Sequence, residues 1–286
     1  MVRNIGYIVC ILFCLAISSC QESDVVEIEE NNAPATASLE VVSELFSTFD
    51  IVDDLATTEE LLLKKGNELL PYEVDVIFID NTFDDGDGIE LELDFGSPGI
   101  KPYGILCRDG KYRAGTLKLT FSKRYSELGC DIGVIFPSDN PYYSGDGEVL
   151  NQFIGEIHVT RNMLNQLTLV SKDLQVVSDG IESFLTANIT ATKDLDWSVG
   201  IINDIVNFDG TFEMQTGSSI LSLKTIEPLQ KRYTLECAKY IVSGKLSALP
   251  SQSASKIEID FDPYQDNACD NVVSITVNGK TIIHKY

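Results

Sequence analysis

Between residues 39 and 49 the apolar residues Leu39, Val42, Leu45, Phe46 and Phe49 return every three or four positions, with Glu40, Ser43, Glu44 and Ser47 between them. That period predicts an amphipathic helix of about three turns. A second helix is expected to follow. Thr57 and Glu60 form a capping box, Leu61 to Leu63 supply an apolar side, Lys64 and Lys65 fall in the last turn, and Gly66 stops it. Pro71 ends any helical continuation.

From Tyr72 onward the period becomes two. Ile89, Leu91, Leu93 and Phe95 alternate with Glu90, Glu92 and Asp94, and Leu117, Leu119 and Phe121 repeat the pattern, as do Ile157 and Val159. Leu185, Ala187, Ile189 and Ala191 alternate with Thr186, Asn188, Thr190 and Thr192. Further sets are Tyr233, Leu235, Cys237; Tyr240, Val242, Gly244, Leu246; Ile257, Ile259, Phe261; and Val273, Ile275, Val277. These predict half-buried strands with one wet face. Asn278-Gly279 predicts a type I′ hairpin between the last two strands, and Asp109-Gly110, Asp179-Gly180 and Asp209-Gly210 predict further turns. The expected fold class is mainly β, an antiparallel sandwich-like body with one or two short N-terminal helices.

Composition narrows the partners. The 286 residues include 44 acidic and 21 basic side chains, a formal charge of −23. Such a surface repels nucleic-acid phosphates, so nucleic acid is not an expected partner. It also repels anionic lipid, so any membrane attachment has to come from something other than basic patches.

The N-terminus offers one. Arg3 precedes an apolar run from Ile5 to Ile17, too short for a span of roughly 20 residues. Small residues then lead into Ile17-Ser18-Ser19-Cys20. The layout is that of a secretory leader, and its end resembles the lipobox of bacterial lipoproteins: an aliphatic residue, two small residues and a cysteine. The resemblance covers the first twenty residues. It implies that residues 1–19 are a signal peptide, that Cys20 is lipidated, and that the chain lives in a bacterial cell envelope as an outer-membrane lipoprotein, periplasm-facing or surface-exposed. Two or more acyl chains hold stably where one holds only marginally. Residues 20–38 include Glu22, Asp24, Glu27, Glu29, Glu30 and Pro34, and are expected as an acidic tether. The acids behind Cys20 also look like the surface-export signals of lipoproteins from the Bacteroidota group. The remaining organisation is a short helical segment over 39–71 and a β-rich domain over 72–286, with a division into two subdomains near 205–212 compatible with the pattern.

Two triplets echo one another. Leu93-Asp94-Phe95 is followed by Cys107-Arg108-Asp109 and Gly110-Lys111, and Ile259-Asp260-Phe261 by Cys269-Asp270-Asn271 and Gly279-Lys280. Duplication and convergent turn chemistry both account for this. The second set, with Ile275-Thr276-Val277-Asn278-Gly279-Lys280, resembles the C-terminal hairpin of uncharacterised Bacteroidota lipoproteins. Leu93-Asp94-Phe95-Gly96 and Tyr112-Arg113-Ala114-Gly115 resemble that group's earlier motif. Asp262 stands where the tail of that group has Gly. The resemblance implies compartment and fold and carries no activity.

Of the seven cysteines, Cys10 and Cys14 would leave with the leader and Cys20 would be acylated. Cys107, Cys130, Cys237 and Cys269 remain, an even number in an oxidising compartment, with three pairings open. Pairing Cys107 with Cys130 and Cys237 with Cys269 closes loops of roughly 20 to 30 residues, each worth about 3 kcal/mol on the chain-entropy account. The alternative for Cys237 is a free buried thiol beside Tyr233 and Leu235.

Candidate chemistry is sparse. The two histidines, His158 and His284, lie in no nucleophile motif, and no Gly-x-Ser-x-Gly occurs. They read as surface residues, and no catalytic residue is assigned. Trp197, among Asp194, Asp196 and Ser198, reads as core or loop anchor before sugar platform. No cofactor is implied except calcium. Asp80, Asn81, Asp84, Asp85, Asp87 and Glu90 with Gly86 and Gly88 have the composition of a calcium loop, with Asp84, Asp85, Asp87 and Glu90 the metal candidates. The EF-hand pattern is not met, since Phe83 occupies its first position. A second acidic turn holds Asp139, Asn140, Asp146 and Glu148 beside Tyr142 and Tyr143. The expected role is a membrane-anchored binding or structural module with an envelope protein or glycan as partner. An adhesin or fimbrial-type subunit and a polysaccharide-acting enzyme are the alternatives.

Overall fold

The computed structural model describes residues 22–57, 70–71, 73–194, 204–234 and 236–286, with helix side chains from Ala35 to Ala56. Among the described residues one helix, α1 (Glu22–Thr57), precedes sixteen strands. They are β1 (Asp75–Asp80), β2 (Ile89–Asp94), β3 (Ile105–Leu106), β4 (Tyr112–Ala114), β5 (Thr116–Phe121) and β6 (Asp131–Phe136). Next come β7 (Tyr142–Gly145), β8 (Leu150–Met163), β9 (Gln166–Ser178), β10 (Ile181–Lys193) and β11 (Ile205–Thr216). Last are β12 (Ser219–Arg232), β13 (Ser243–Pro250), β14 (Ile257–Asp260), β15 (Val272–Val277) and β16 (Lys280–Lys285).

The strands form a single antiparallel sheet in the order β1-β2-β5-β6-β8-β9-β10-β11-β12-β13-β14-β15-β16. A short branch runs from β8 through β7 and β4 to β3. Mainly β with antiparallel pairing is therefore the fold class. The division weighed near 205–212 falls inside β11, which is paired on both sides, so the sheet runs unbroken through it.

The helix differs most from its expectation. It starts at Glu22, inside the stretch expected as a tether, and continues to Thr57 in place of a three-turn element. Of the second expected helix only Thr57 lies among the described residues. Every residue from Val41 to Ala56 is buried, about 24 Å of helix at 1.5 Å per residue. The polar side of the amphipathic pattern is buried too: Ser43 and Glu44 are 4% exposed and Ser47 1%. A helix covered all round has to be enclosed, and the sheet curls about it.

On one side Phe46 stacks on Phe208 at 4.3 Å between ring centroids and meets Phe212 edge-on at 6.0 Å. On another, Leu45, Phe49 and Val52 face Val134, Ile157, Val159 and Leu169 of β6, β8 and β9. The inward residues of β6, β8, β9 and β11 thus find cover on α1. Inward residues are the ones the period of two selects: β2 buries Ile89, Leu91 and Leu93, and β10 buries Leu185, Ala187, Ile189 and Ala191.

Turn chemistry accounts for the register. Asn278 and Gly279 both have positive φ, as a type I′ turn demands, and Val277 pairs with Lys280 across it. Asp179-Gly180 does the same between β9 and β10. Asp209-Gly210 makes no turn. It lies in mid-strand at a register shift between β11 and β12, where a Cβ on Gly210 would sit 2.2 Å from the carbonyl oxygen of Asn188. Thr225 Oγ1 accepts the Gly210 N–H there at 3.0 Å. The strand expected over Tyr233, Leu235 and Cys237 is not continued at Cys237, while Leu235 lies outside the described residues. The N–H groups of Cys237 and Ala238 donate to Thr234 O in a turn that presents Cys237 to a disulfide. The two echoing triplets close alike: Asp94 and Asp260 each accept the N–H two residues on, and Phe95 and Phe261 donate to the carbonyls of Gly115 and Gly244.

Cys237 and Cys269 form the expected disulfide, tying the turn after β12 to the loop before β15. Cys107 and Cys130 do not form the second expected disulfide; both are buried thiols, and each points to a different carbonyl, Ile105 O and Lys123 O.

Truncating Phe46, fully buried against two other rings, removes cover from the centre of the helix. Phe46→Ala should lower stability by about 3–5 kcal/mol, read as an earlier urea midpoint at unchanged slope. A shift worth under about 1 kcal/mol would contradict the enclosed-helix packing.

Candidate functional site

The buried polar face of α1 is matched group by group on the sheet. Nearest its N-terminal half, Glu44 accepts hydrogen bonds from Lys111 Nζ and, at 2.5 Å, from Ser144 Oγ of β7. One turn on, Ser47 Oγ donates to Asp109 Oδ2 at 2.8 Å. Arg113 of β4 holds that carboxylate with both terminal nitrogens, at 2.8 and 2.6 Å, and donates through Nε to Tyr142 Oη at 3.0 Å. Thr48 Oγ1 completes the chain 3.1 Å from the same Tyr142 oxygen. Burial pushes the Asp109 carboxyl up, but the Arg113 guanidinium and the hydrogen bonds from Arg113 and Ser47 outweigh it and hold the group below the usual carboxylate range.

Further down the helix, Asp50 takes Lys231 Nζ at 2.5 Å and the Tyr233 hydroxyl. Burial still leaves its carboxyl above the ordinary range. Asp53 accepts from Tyr125 Oη, whose ring lies 5.9 Å from the Arg161 guanidinium. Arg161 also donates to Tyr125 O at 2.5 Å. Burial pushes the Asp53 carboxyl up to about 7, more than the Tyr125 hydrogen bond and the Lys193 charge pull it down.

Where the network meets solvent there is a cavity of about 420 Å³. Glu40, Ser43 and Glu44 of α1 form one wall. Gly110 and Lys111, then Gly145, Asp146, Val149 and Asn151, and finally Lys239, Tyr240, Asn271 and Tyr286 complete it. Burial and the neighbouring charges of Asp146 and Glu44 raise the Glu40 carboxyl above its usual range. Asp146 Oδ1 accepts the N–H groups of Glu148 and Val149, each at 2.8 Å. Asn151, on β8, is 4% exposed, and its Oδ1 has no hydrogen-bond partner among the described residues. Lys239 Nζ lies 4.8 Å from the Tyr240 ring centroid, and the Tyr286 hydroxyl accepts the Ile241 N–H at 3.3 Å.

The residues singled out by sequence fall elsewhere, with one exception. Cys20 and Trp197 lie outside the described residues. Asp80, Asp85 and Asp87 bring carboxylate oxygens within 4.8 Å of one another, while Asp84 and Glu90 are not in that group. Asp87 is raised by its hydrogen bond to Asp85 and by that neighbour's charge. His158 is exposed between Asp131 at 3.2 Å and Glu156 at 3.6 Å, and the partly buried His284 has its pKa lowered by burial. Of the second acidic turn only Asp146 reaches the cavity; Tyr142 is buried in the Arg113 network. Glu40, Glu44, Lys111, Asn151 and Lys239 were not picked out by spacing. For Glu40 and Glu44 the signal was the density of polar residues on a helix whose other residues are large and apolar; no pattern in the sequence marked Lys111, Asn151 or Lys239.

No family model, characterised protein or solved structure matches this chain.

The Asp53 carboxyl has a direct consequence for stability. Its unfolded value is about 3.9, so between roughly pH 4 and 7 the unfolded chain releases a proton that the folded chain keeps. Stability falls as pH rises through that window, by about 4 kcal/mol in all from this group. Asp53→Asn should remove the dependence: its melting temperature should gain steadily on the native chain from pH 4 to 7 and hold that gain above. Parallel melting curves across the range would contradict this.

Proposed function

We propose that this chain is a lipid-anchored bacterial envelope lipoprotein whose β-rich body is a binding module, with the cavity beside α1 as its binding site. The observation that carries the binding role is that cavity. It is large enough for a sugar- or amino-acid-sized molecule, and its wall is mostly polar, with charged and amide side chains converging from the helix, strands and loops, the kind of group that orients a polar ligand. The anchoring rests on the sequence: the short apolar leader ending in Ile17-Ser18-Ser19-Cys20 and the acidic run that follows. A chain of formal charge −23 has no electrostatic attraction to anionic lipid, so acylation at Cys20 is the chemistry that would hold it at a membrane. No helix among the described residues is long and apolar enough to cross one.

A second reading, the fimbrial-type subunit, is favoured by one feature. β1 and β16 end the order of the sheet, and β1 exposes Ile77 and Ile79, 46% and 55% accessible. An edge of this kind accepts an added strand. Protease-triggered oligomers would support that role.

The anchoring test is fractionation. Native chain expressed in a Gram-negative host should pellet with membranes and partition into Triton X-114, and Cys20→Ser should lose the acyl mass and leave the detergent phase. Unchanged partitioning of Cys20→Ser would overturn the anchor.

A further inference from the structure

We propose that the cavity beside α1 selects small hydroxylated amines, reading the ammonium with Glu40 and the remaining donors with Asn151. This deepens the binding-module reading and rests on it.

The cavity's two inner charges are already matched. Glu44 has one oxygen on Lys111 and the other on Ser144, so its charge already has a partner. Glu40 is different. It stands at the rim, exposed, one turn before Glu44, and no salt bridge to it is formed among the described residues. Asp146 faces the same space and adds negative potential, while its Oδ1 is tied to the turn by two backbone N–H groups. An ammonium ion entering here gains a direct carboxylate partner and relieves the repulsion between Glu40, Asp146 and Glu44. An anion meets that repulsion, and of the two lysines in the lining Lys111 is held by Glu44, which leaves Lys239 at the rim as the one attraction against three carboxylates. A hydrocarbon would strand the polar lining.

Asn151 supplies the second and independent observation. An amide oxygen that is buried without a partner costs about 1–3 kcal/mol, and such groups are rare in folded proteins. Asn151 lies in the wall of the cavity, and the broad rotation about its terminal side-chain bond lets either end of the amide turn toward a bound molecule. A hydroxyl delivered there would satisfy it. The aromatic walls contribute flat apolar surface: Tyr240 beneath Lys239, and Tyr286 packed edge-on against Phe261 at 5.8 Å. Charge-bearing acceptors, a buried amide and aromatic faces together describe a site for a ring or chain that carries both hydroxyls and a positive charge, as an amino sugar does.

The test uses the full chain and three matched sugars, with binding read by ligand-observed NMR and isothermal titration in low salt. Glucosamine is the cation, glucose its neutral counterpart and glucuronate the anion. Glucosamine should bind at least tenfold more tightly than glucose, and glucuronate should not bind. Glu40→Gln, an exposed substitution that leaves the fold intact, should reduce the glucosamine preference to about threefold or less while glucose is unaffected. Asn151→Leu should weaken both glucosamine and glucose, with circular dichroism and melting temperature confirming that the variant folds. No binding of glucosamine, equal binding of all three sugars, or a preference that survives Glu40→Gln would each overturn the proposal. None of those results bears on the membrane partitioning of the Cys20 variant, so the anchor and the ligand class fail separately.

Discussion

Carboxylates in the middle of a protein are tolerated only where partners wait for them, and α1 carries several. Glu44, Asp50, Asp53 and Asp54 are all buried, and the fold around the helix brings Lys111, Arg113, Tyr125, Lys231 and Tyr233 to its several polar positions. Each ion loses several kcal/mol on leaving water, recovered only with good geometry and satisfied lone pairs. Sliding the helix by one turn, about 5.4 Å, would carry Asp50 away from Lys231 and Tyr233 and Asp53 away from Tyr125. The apolar contacts alone would tolerate that shift far better, since leucines, valines and phenylalanines pack in many registers. The polar face therefore fixes the depth and rotation of the helix, and the strands close around a helix so fixed.

This pairing also explains how a chain so acidic limits the charge it buries. The buried acids Glu44, Asp50, Asp53, Asp54 and Asp109 stand with the bases Arg113, Arg161, Lys193 and Lys231 and the half-buried Lys111, and the Asp53 carboxyl, pushed up to about 7, is partly protonated at neutral pH. Most of the excess of −23 therefore lies outside this group. A surface of that sign keeps copies of the chain apart. It also leaves the mouth of the cavity, where Glu40 and Asp146 stand beyond the reach of the matched set, as a place where the interior network meets solvent with charge to spare.

The strands were legible because each has one wet face: the alternation through Ile89–Phe95, Leu185–Ala191 and Val273–Val277 survives in the structure as buried and exposed positions. Asn278-Gly279 was legible because left-handed backbone at two successive residues restricts the sequence strongly. Asp209-Gly210 carried the same signal for another reason, a bulge where two backbones come too close for a side chain. The helix was legible as a helix and misleading as an amphipathic one. Periodicity separates polar from apolar positions, and it does not distinguish a polar face turned to water from one turned to lysines, arginines and tyrosines more than sixty residues away. The cavity was hidden for the same reason: its walls come from both ends of the chain, from Glu40 to Tyr286. The cysteines show the limit of loop length as a guide. Cys237–Cys269 forms, while Cys107 and Cys130, closer in sequence, are buried beside different carbonyls.

The pairing of Asp50 with Lys231 is the most central of these contacts, and a double-mutant cycle measures it without reference to any ligand. Lys231→Met in the native chain leaves a buried carboxylate without its cation and should cost about 3–5 kcal/mol in urea unfolding. In the Asp50→Asn background the same substitution strands no charge, and its cost should fall by at least about 2 kcal/mol. Equal costs in the two backgrounds would mean that the charged face of the helix does not hold it in place, and would contradict the account.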